Sequence, residues 1–419
     1  MSNFRINIYL TLKAFFFGLI APNLKGKEIE NIISKNSKKK YFISTSQLRV
    51  GFLILLKFLK KKYPKKNEII FQPFNLPEMI NVGDNMGYKI KFLKLNHITA
   101  QPEIRFLNNV INKKTLAIVA TNIFYSHKTL STLKKLCKKK KIILIEDNAI
   151  YFDNYYIKKN KKIYSGSFGD YSLYSFNIMK NISAFFGGGV ATNDKNFVFF
   201  ANKEISKYKG FNKIILLRQI LIFFTLKTLK LSFFYKIFLK IIRIAHLKKN
   251  KFILKIVYPS LRFKKINFPS YYFTKIAQIS KTVAYMQLKN YIKRKENHLI
   301  RKKRNIYYYN LFKKLKIKHV KLFDVEDFNF QNYMDFPIGV KKKNELNNYL
   351  LLNNLEIKHT FYHDCAKIFN TKQGKEVLAN SKHFSNTIIG LPNHYNITEK
   401  HMQKFGKKIK DFYEMEYKK

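Results

Sequence analysis

The apolar positions of this chain change period along its length. Residues 14–21 (AFFFGLIA) form a short apolar run, separated by Lys13 from the apolar positions before it. No small-residue cleavage site follows, so the run reads as a packed N-terminal helix rather than a signal segment. From about residue 40 two periods alternate. Ser44-Thr45-Ser46 is a helix-start signal, and Leu48, Phe52, Leu55, Leu56 and Leu59 follow it at helical spacing. Apolar runs at 68–72, 89–93 and 116–120 have the length of strands. Thr129 is placed to cap a helix carrying Leu130, Leu133 and Leu136, which leads into a strand at 142–145. Two β-like runs follow at 171–176 and Gly188–Thr192. Strands alternating with helices predict an α/β fold with a mainly parallel sheet covered on both faces. In such sheets ligands bind outside the carboxyl ends of the strands.

Residues 214–247 (IILLRQILIFFTLKTLKLSFFYKIFLKIIRIAHL) depart from this pattern. At 100° per residue, Arg218, Lys236, Lys240 and Arg243 fall on one face while Lys227 and Lys230 fall opposite, so two shorter helices fit better than one. The plain reading is a helical insertion packed on the large domain or across a dimer interface. The sharper reading is a basic, aromatic-rich surface in peripheral contact with an anionic membrane. No stretch runs 18 residues without a charge, which gives no clear transmembrane helix.

Charge changes the picture less than its size suggests. The chain carries 81 Lys+Arg against 25 Asp+Glu, a formal net charge of +56. A value this high points to nucleic acid or anionic membranes. However, Lys far outnumbers Arg, and Asn, Ile, Phe and Tyr are abundant, which is the residue set of A+T-rich coding sequence. The tracts at 38–40, 138–141 and 341–343 accompany no nucleic-acid-binding motif and read as solvated surface, so no specific nucleic-acid partner is expected. Cys137 and Cys365 cannot build a disulfide framework or a zinc site, which makes a reducing, cytoplasmic setting the default. His359 and His363, with Asp364, lack a third ligand in a motif, and no metal is expected.

Candidate chemistry sits where the strand pattern puts ligands. Glu146-Asp147-Asn148 directly follows the strand at 142–145. Ser175-Phe176-Asn177-Ile178-Met179-Lys180 and then Gly187-Gly188-Gly189 come further on. A strand-end carboxylate, a hydroxyl five residues before a lysine and a glycine cluster are together what a pyridoxal 5'-phosphate site needs. The lysine bonds the aldehyde, the acid faces the pyridine nitrogen, the hydroxyl binds phosphate, and glycines let backbone pass close to the ring.

At these residues the chain resembles the DegT/DnrJ/EryC1/StrS sugar aminotransferases, pyridoxal phosphate enzymes of fold type I. The resemblance is carried by GSFGDYSLYSFNIMKNISAFFGGGVATND (166–194), IIFQPFNLPEMINVG (69–83), IEDNAI (145–150) and IIGLPNHYNITEKHM (388–402). It is dense around Lys180 and sparse between about 205 and 285. It implies that Lys180 is the covalent lysine, Asp147 the partner of the pyridine nitrogen and Ser175 a phosphate ligand. Leu76 takes the ring-stacking position, with Phe74 two residues earlier. Ile150 stands where the family often has Gln or His, and Leu48 where its first phosphate turn usually has Gly. Ser46 or Gln47, beside Arg49 at a helix N-terminus, is the remaining phosphate contact.

The resemblance also implies the architecture and activity. A large cofactor-binding domain is expected over 1–262, with the insertion at about 214–247, and a smaller C-terminal α+β domain over 263–419. The expected reaction converts a nucleotide-linked keto-sugar to an amino-sugar for cell-surface polysaccharide, with an amino donor such as L-glutamate. The working unit would be a homodimer, cytoplasmic or peripheral at the inner face of the membrane. The competing readings are a non-catalytic relative and a dehydratase, and dehydrating relatives are expected to lack the lysine.

Overall fold

The computed structural model describes residues 8–20, 27–257, 267–268 and 273–417, apart from 124, 151, 153, 230, 294–295, 324–332, 359–362 and 372. The strands of its first half are β1 (Tyr41–Thr45), β2 (Glu68–Phe71), β3 (Phe74–Asn75), β4 (Lys89–Phe92), β5 (Thr115–Thr121), β6 (Ile143–Asp147), β7 (Tyr155–Lys158), β8 (Lys161–Tyr164), β9 (Tyr171–Ser175) and β10 (Gly188–Thr192). Seven of them form one sheet in the order β1-β10-β9-β6-β5-β2-β4. The pairs β2–β4, β2–β5, β5–β6 and β6–β9 are parallel. Only β10 runs against the rest, antiparallel to both β9 and β1. The carboxyl ends of β1, β9, β6, β5 and β2 therefore share one edge of the sheet, and the amino end of β10 joins them.

Both faces of this sheet are buried, which is why its strands read as continuous apolar runs. Ile69, Phe71, Ala117, Val119 and Ile145 pack on one side with the helix Leu48–Lys62. Ile70, Ile118, Ala120 and Leu144 alternate with them and pack on the other side with the helix His127–Lys140. The second cluster runs on into a three-stranded sheet, β11 (Val320–Lys321), β12 (Asp335–Val340) and β14 (Ile388–Pro392), in the order β11-β12-β14. A two-residue strand β13 (His363–Asp364) pairs with β3 and ties this later part of the chain to the strand-end edge of the large sheet. The predicted domain boundary at 262 lies outside the described residues.

Three sequence expectations are corrected here. Ser44 and Thr45 do not start a helix: residues 41–45 are β1, and the helix begins at Leu48 with Gln47 as its N-cap. The helix predicted behind Thr129 is capped one turn earlier by Ser126, whose Oγ accepts the Thr129 N–H. The lysine tracts are not all solvated. Lys39 Nζ donates to the Gly169 carbonyl, and burial lowers its pKa. Lys343 Nζ donates to the Ser385 carbonyl at 2.8 Å, and burial brings its pKa down to about 8.

The insertion is two helices, Lys213–Thr228 and Ser232–Leu247, followed by a short third, Lys251–Val257. The first packs on the N-terminal half of the chain, with Phe223 against Phe15 and Phe185. The second does not. Its Tyr235, Leu239 and Ile242 pack with Leu351 of the helix Lys343–Leu352, and Tyr235 Oη donates to Glu356 at 3.1 Å.

Candidate active site

The candidate residues meet at the carboxyl-end edge. Register places Thr45 of β1 opposite Gly188, Gly188 opposite Ser175, and Asp147 opposite both Leu173 and Thr121. Ser175 thus ends the strand next to the one that Asp147 ends. Lys180 follows Ser175 through a tight turn in which its N–H bonds the Asn177 carbonyl at 2.9 Å. The turn is held from within by Ser183 Oγ on the Lys180 carbonyl (2.8 Å) and the Ala184 N–H on the Phe176 carbonyl (2.8 Å). It is held from outside by Asn181, which donates to the Ile150 carbonyl at 3.4 Å and accepts from Arg301 at 2.7 Å.

Electrostatics single out the lysine and the acid. Lys180 retains partial solvent access, yet burial pulls its amine down to about 8. The charge of Lys358 supplies the next largest part of that lowering, Asp147 opposes it, Arg49 adds to it and Asp335 opposes it. These groups come from the end of β6, the start of the 48–62 helix, β12 and the segment before β13. Lys358 and Asp335 pair with each other at 2.6 Å. Asp147 is buried, and burial raises its carboxyl above the ordinary range, against the Ala149 N–H it accepts at 3.0 Å and the charge of Lys180.

The neighbouring Glu146 has a different job. It is fully buried and its Oε1 accepts the N–H groups of Phe168 (2.7 Å) and Gly169 (2.6 Å), while Oε2 accepts that of Gly166 (2.8 Å). It therefore anchors the loop that leads into β9. The glycine cluster is also explained by packing rather than by a ring alone. A Cβ on Gly188 would meet the Tyr174 carbonyl and, at 2.7 Å, the Leu48 amide, while one on Gly189 would meet the Ile43 carbonyl. These glycines let β10 fit between β9, β1 and the start of the 48–62 helix.

The remaining candidates fall as follows. Ser46 is buried at the N-terminus of the 48–62 helix, and its Oγ has no hydrogen-bond partner among the described residues. Gln47 Oε1 accepts from Arg49 at 3.0 Å. Phe74 is buried in the core cluster, whereas Leu76, the residue expected to stack on a ring, is half-buried. Ile150 packs against the same cluster and offers only its carbonyl, to Asn181. Asp364 caps the short helix Cys365–Ile368 and accepts from Ser381 Oγ at 2.5 Å, while His359 lies outside the described residues. Both cysteines are buried as free thiols, and among the described residues no group of three or more His, Cys, Asp or Glu could hold a metal ion.

Sequence reasoning missed Lys358, Asp335, Arg301 and the anchoring role of Glu146. Lys358 is one lysine among many and Asp335 has no motif around it. Arg301 carried a faint signal as one of the chain's few arginines, where a planar fork can hold an amide and a ring together. It is buried, bonds Asn181 and Tyr9, and lies over the Tyr9 ring with 5.0 Å to the centroid.

The model of the DegT/DnrJ/EryC1/StrS aminotransferase family matches residues 23–206, the segment with Ser46, Asp147, Ser175 and Lys180. Over that segment the chain is similar to that family. The match stops just before the helical insertion. Among curated proteins, the Helicobacter pylori UDP-4-amino-4,6-dideoxy-N-acetyl-beta-L-altrosamine transaminase is 31% identical over 129 residues, 31% of this chain and 33% of that protein. The Escherichia coli O157:H7 GDP-perosamine synthase is 27% identical over 41% of this chain and 46% of its own. The matched part thus spans a third to just under half of these curated relatives. Among solved structures, the Helicobacter pylori aminotransferase involved in the biosynthesis of pseudoaminic acid superposes with a TM-score of 0.70, at 17% identity, over 99% of this chain and 100% of its own. A GDP-4-keto-6-deoxymannose-3-dehydratase gives the same TM-score and identity over 97% and 100%. The α/β architecture of fold type I expected from the sequence is the one observed.

Proposed function

We propose that this chain is a member of that family, a pyridoxal 5'-phosphate-dependent aminotransferase that converts a nucleotide-linked keto-sugar to an amino-sugar. The observation that carries the reading is the juxtaposition of Lys180, lowered to about 8, with a buried Asp147 on the adjacent strand end. A buried carboxyl held above its usual range is suited to a cationic ring nitrogen, whose charge would restore its ionised form. An unpartnered, buried Ser46 hydroxyl at a helix N-terminus is suited to a phosphate. The residues therefore fit the cofactor. Asp147 would hold its ring nitrogen, Ser46, Gln47 and Ser175 its phosphate, Leu76 one face of the ring, and Lys180 its aldehyde carbon.

When bound, the cofactor supplies an electron sink that makes a proton on the adjacent substrate carbon removable. The chain supplies the rest. Lys180 Nζ, neutral in a useful fraction near neutral pH, would take that proton and return it to the product. Asp147 would keep a proton on the ring nitrogen of the bound cofactor. Arg301, through Asn181, keeps the lysine turn in place. The amino donor, L-glutamate in this reading, and the keto-sugar react in two successive half-reactions. The strongly basic surface would steer an anionic nucleotide sugar toward the edge of the sheet.

A homodimer is part of the reading: Met179, beside Lys180, is 39% exposed and apolar, a position that a second subunit would cover. The two-domain division at 262 and a cytoplasmic setting remain part of the proposal. No helix among the described residues is long and apolar enough to cross a membrane. A dehydratase is the second reading, favoured by the resemblance to the 3-dehydratase fold and disfavoured by the lysine at 180. The test is to treat the cofactor-loaded protein with borohydride, map the fixed cofactor by peptide mass, and assay amination across nucleotide keto-sugars. Cofactor fixed at Lys180 and amino-sugar formation that Lys180→Ala abolishes are expected. Full turnover by Lys180→Ala would overturn the assignment, and a deoxy-sugar product would favour the dehydratase.

A further inference from the structure

The two insertion helices expose apolar stripes at helical spacing. On Lys213–Thr228 the outward positions are Ile214 (77% exposed), Leu217, Leu221 (59%) and Phe224, at intervals of three and four. On Ser232–Leu247 they are Phe233 (69%), Ile237, Ile241, Ile244 and Leu247. The opposite sides, Phe223 on one helix and Tyr235, Leu239 and Ile242 on the other, are already buried against the protein. Each helix thus has two apolar faces, one used for folding and one left outward. The helix Leu12–Ile20 borders the first of them: Phe15 contacts Phe223 and Phe224 with centroids 5.6 and 5.4 Å apart, while Phe16, Leu19 and Ile20 stay exposed. Outward apolar stripes of this kind mark an interaction surface.

Charge says what covers it. Between Glu204 and Glu296 the sequence has no Asp or Glu, where an even spread of the chain's acids would place about five. Compositional drift explains abundant lysine but not this local absence. Lys13, Arg218, Lys236 and Lys240 are exposed among the apolar stripes. A second copy docking symmetrically would set this patch against itself, basic against basic with no acid to relieve it. A bilayer with anionic headgroups satisfies both properties, taking apolar side chains at its boundary and basic ones at its surface.

We infer that the face formed by the 213–228 and 232–247 helices docks on an anionic lipid bilayer, placing the enzyme at a membrane surface without crossing it. The inference is independent of which sugar the site accepts. It is tested by sedimenting the purified full-length protein with vesicles of phosphatidylcholine alone and of phosphatidylcholine with phosphatidylglycerol, at low and high salt. Binding to the anionic vesicles and not the neutral ones is expected. It should weaken as the Debye length falls from about 10 Å at 0.1 M salt to about 3 Å at 1 M. The pairs Leu217→Glu/Leu221→Glu and Ile237→Glu/Ile241→Glu should each lower the partition coefficient about tenfold or more, because both side chains of each pair would leave the bilayer. Their far-ultraviolet spectra and cofactor binding should match those of the parent. Absence of vesicle binding, equal binding to neutral and anionic vesicles, or loss of a dimer in the glutamate pairs with vesicle binding intact would overturn the inference.

Discussion

The pKa of Lys180 can be moved in opposite directions by two substitutions, which tests the origin of the site's reactivity. An ordinary lysine at 10.5 is neutral in about one molecule in three thousand at pH 7, whereas one lowered to about 8 is neutral in about one in ten. The site thus supplies roughly three hundred times more free amine at neutral pH. Burial provides the largest part and Lys358 the next, while Asp147 works against both. Replacing Lys358 by Met removes a positive charge and leaves the Asp335 carboxylate, which also favours the protonated lysine, so the midpoint must rise. Asp147→Asn removes the opposing charge, so the midpoint must fall. Lys358→Arg keeps the charge and should hold it. Each unit of upward shift takes away about tenfold of the neutral amine below the midpoint, and the acid limb of the rate profile should follow. The assay is competitive acetylation of cofactor-free protein over a pH series, read at the Lys180 peptide by mass spectrometry. A Lys180 midpoint equal to that of the surface lysines, or a shift in the same direction for Lys358→Met and Asp147→Asn, would refute the reasoning.

Two further outcomes follow from the same geometry. Ser46→Ala removes a buried hydroxyl that has no partner among the described residues, so the thermal midpoint of the cofactor-free protein should hardly change. Cofactor affinity, measured by fluorescence titration, should weaken about tenfold or more, the worth of a hydrogen bond to a charged phosphate. Gly166→Ala introduces a Cβ that collides with Tyr174 Oη at a residue with φ of +95°, and should cost about 2–4 kcal/mol in denaturant unfolding. Gly166→Ala/Tyr174→Phe should recover the collision but not the backbone strain, leaving about 1–2 kcal/mol.

Much of the large sheet was legible because its strands are covered on both faces. Residues 116–120 and 68–72 form unbroken apolar runs, and the structure makes them β5 and β2 to within a residue. β1 escaped because its sequence, Tyr-Phe-Ile-Ser-Thr, is short and ends in residues that also cap helices. The lysine, the acid and the glycines of the site lie close together in sequence, so a motif could reveal them. Lys358 and Asp335 act on Lys180 from more than 150 residues away, and no local pattern encodes that approach. The insertion was legible as two helices from its charge positions. Its outward faces were not: Lys213–Thr228 is apolar almost all round, and periodicity cannot say which of two apolar sides a fold will use.

The scarcity of acids makes their positions more informative than the net charge. Glu146 anchors three backbone N–H groups, and Asp194 caps the helix Lys195–Ser206, pairs with Lys62 at 3.0 Å and accepts from Tyr171. Asp170 accepts the Leu144 N–H, and Glu68 pairs with Lys91 at 2.6 Å. Each would leave buried or half-buried donors unsatisfied if lost, so folding itself retains these carboxylates against a drift toward lysine. That constraint should act wherever the backbone needs a cap or a loop needs an anchor. In the insertion it does not act: Asn212 caps the first helix through its amide oxygen, accepting from Ile214 and Ile215 at 2.8 and 3.2 Å, and no acid is required. Folding therefore permits the acid-free stretch but does not demand it, since exposed glutamates on these helices would cost nothing in the fold. Their absence calls for a cause outside the fold, and a negatively charged surface that repels carboxylates and attracts lysines supplies one.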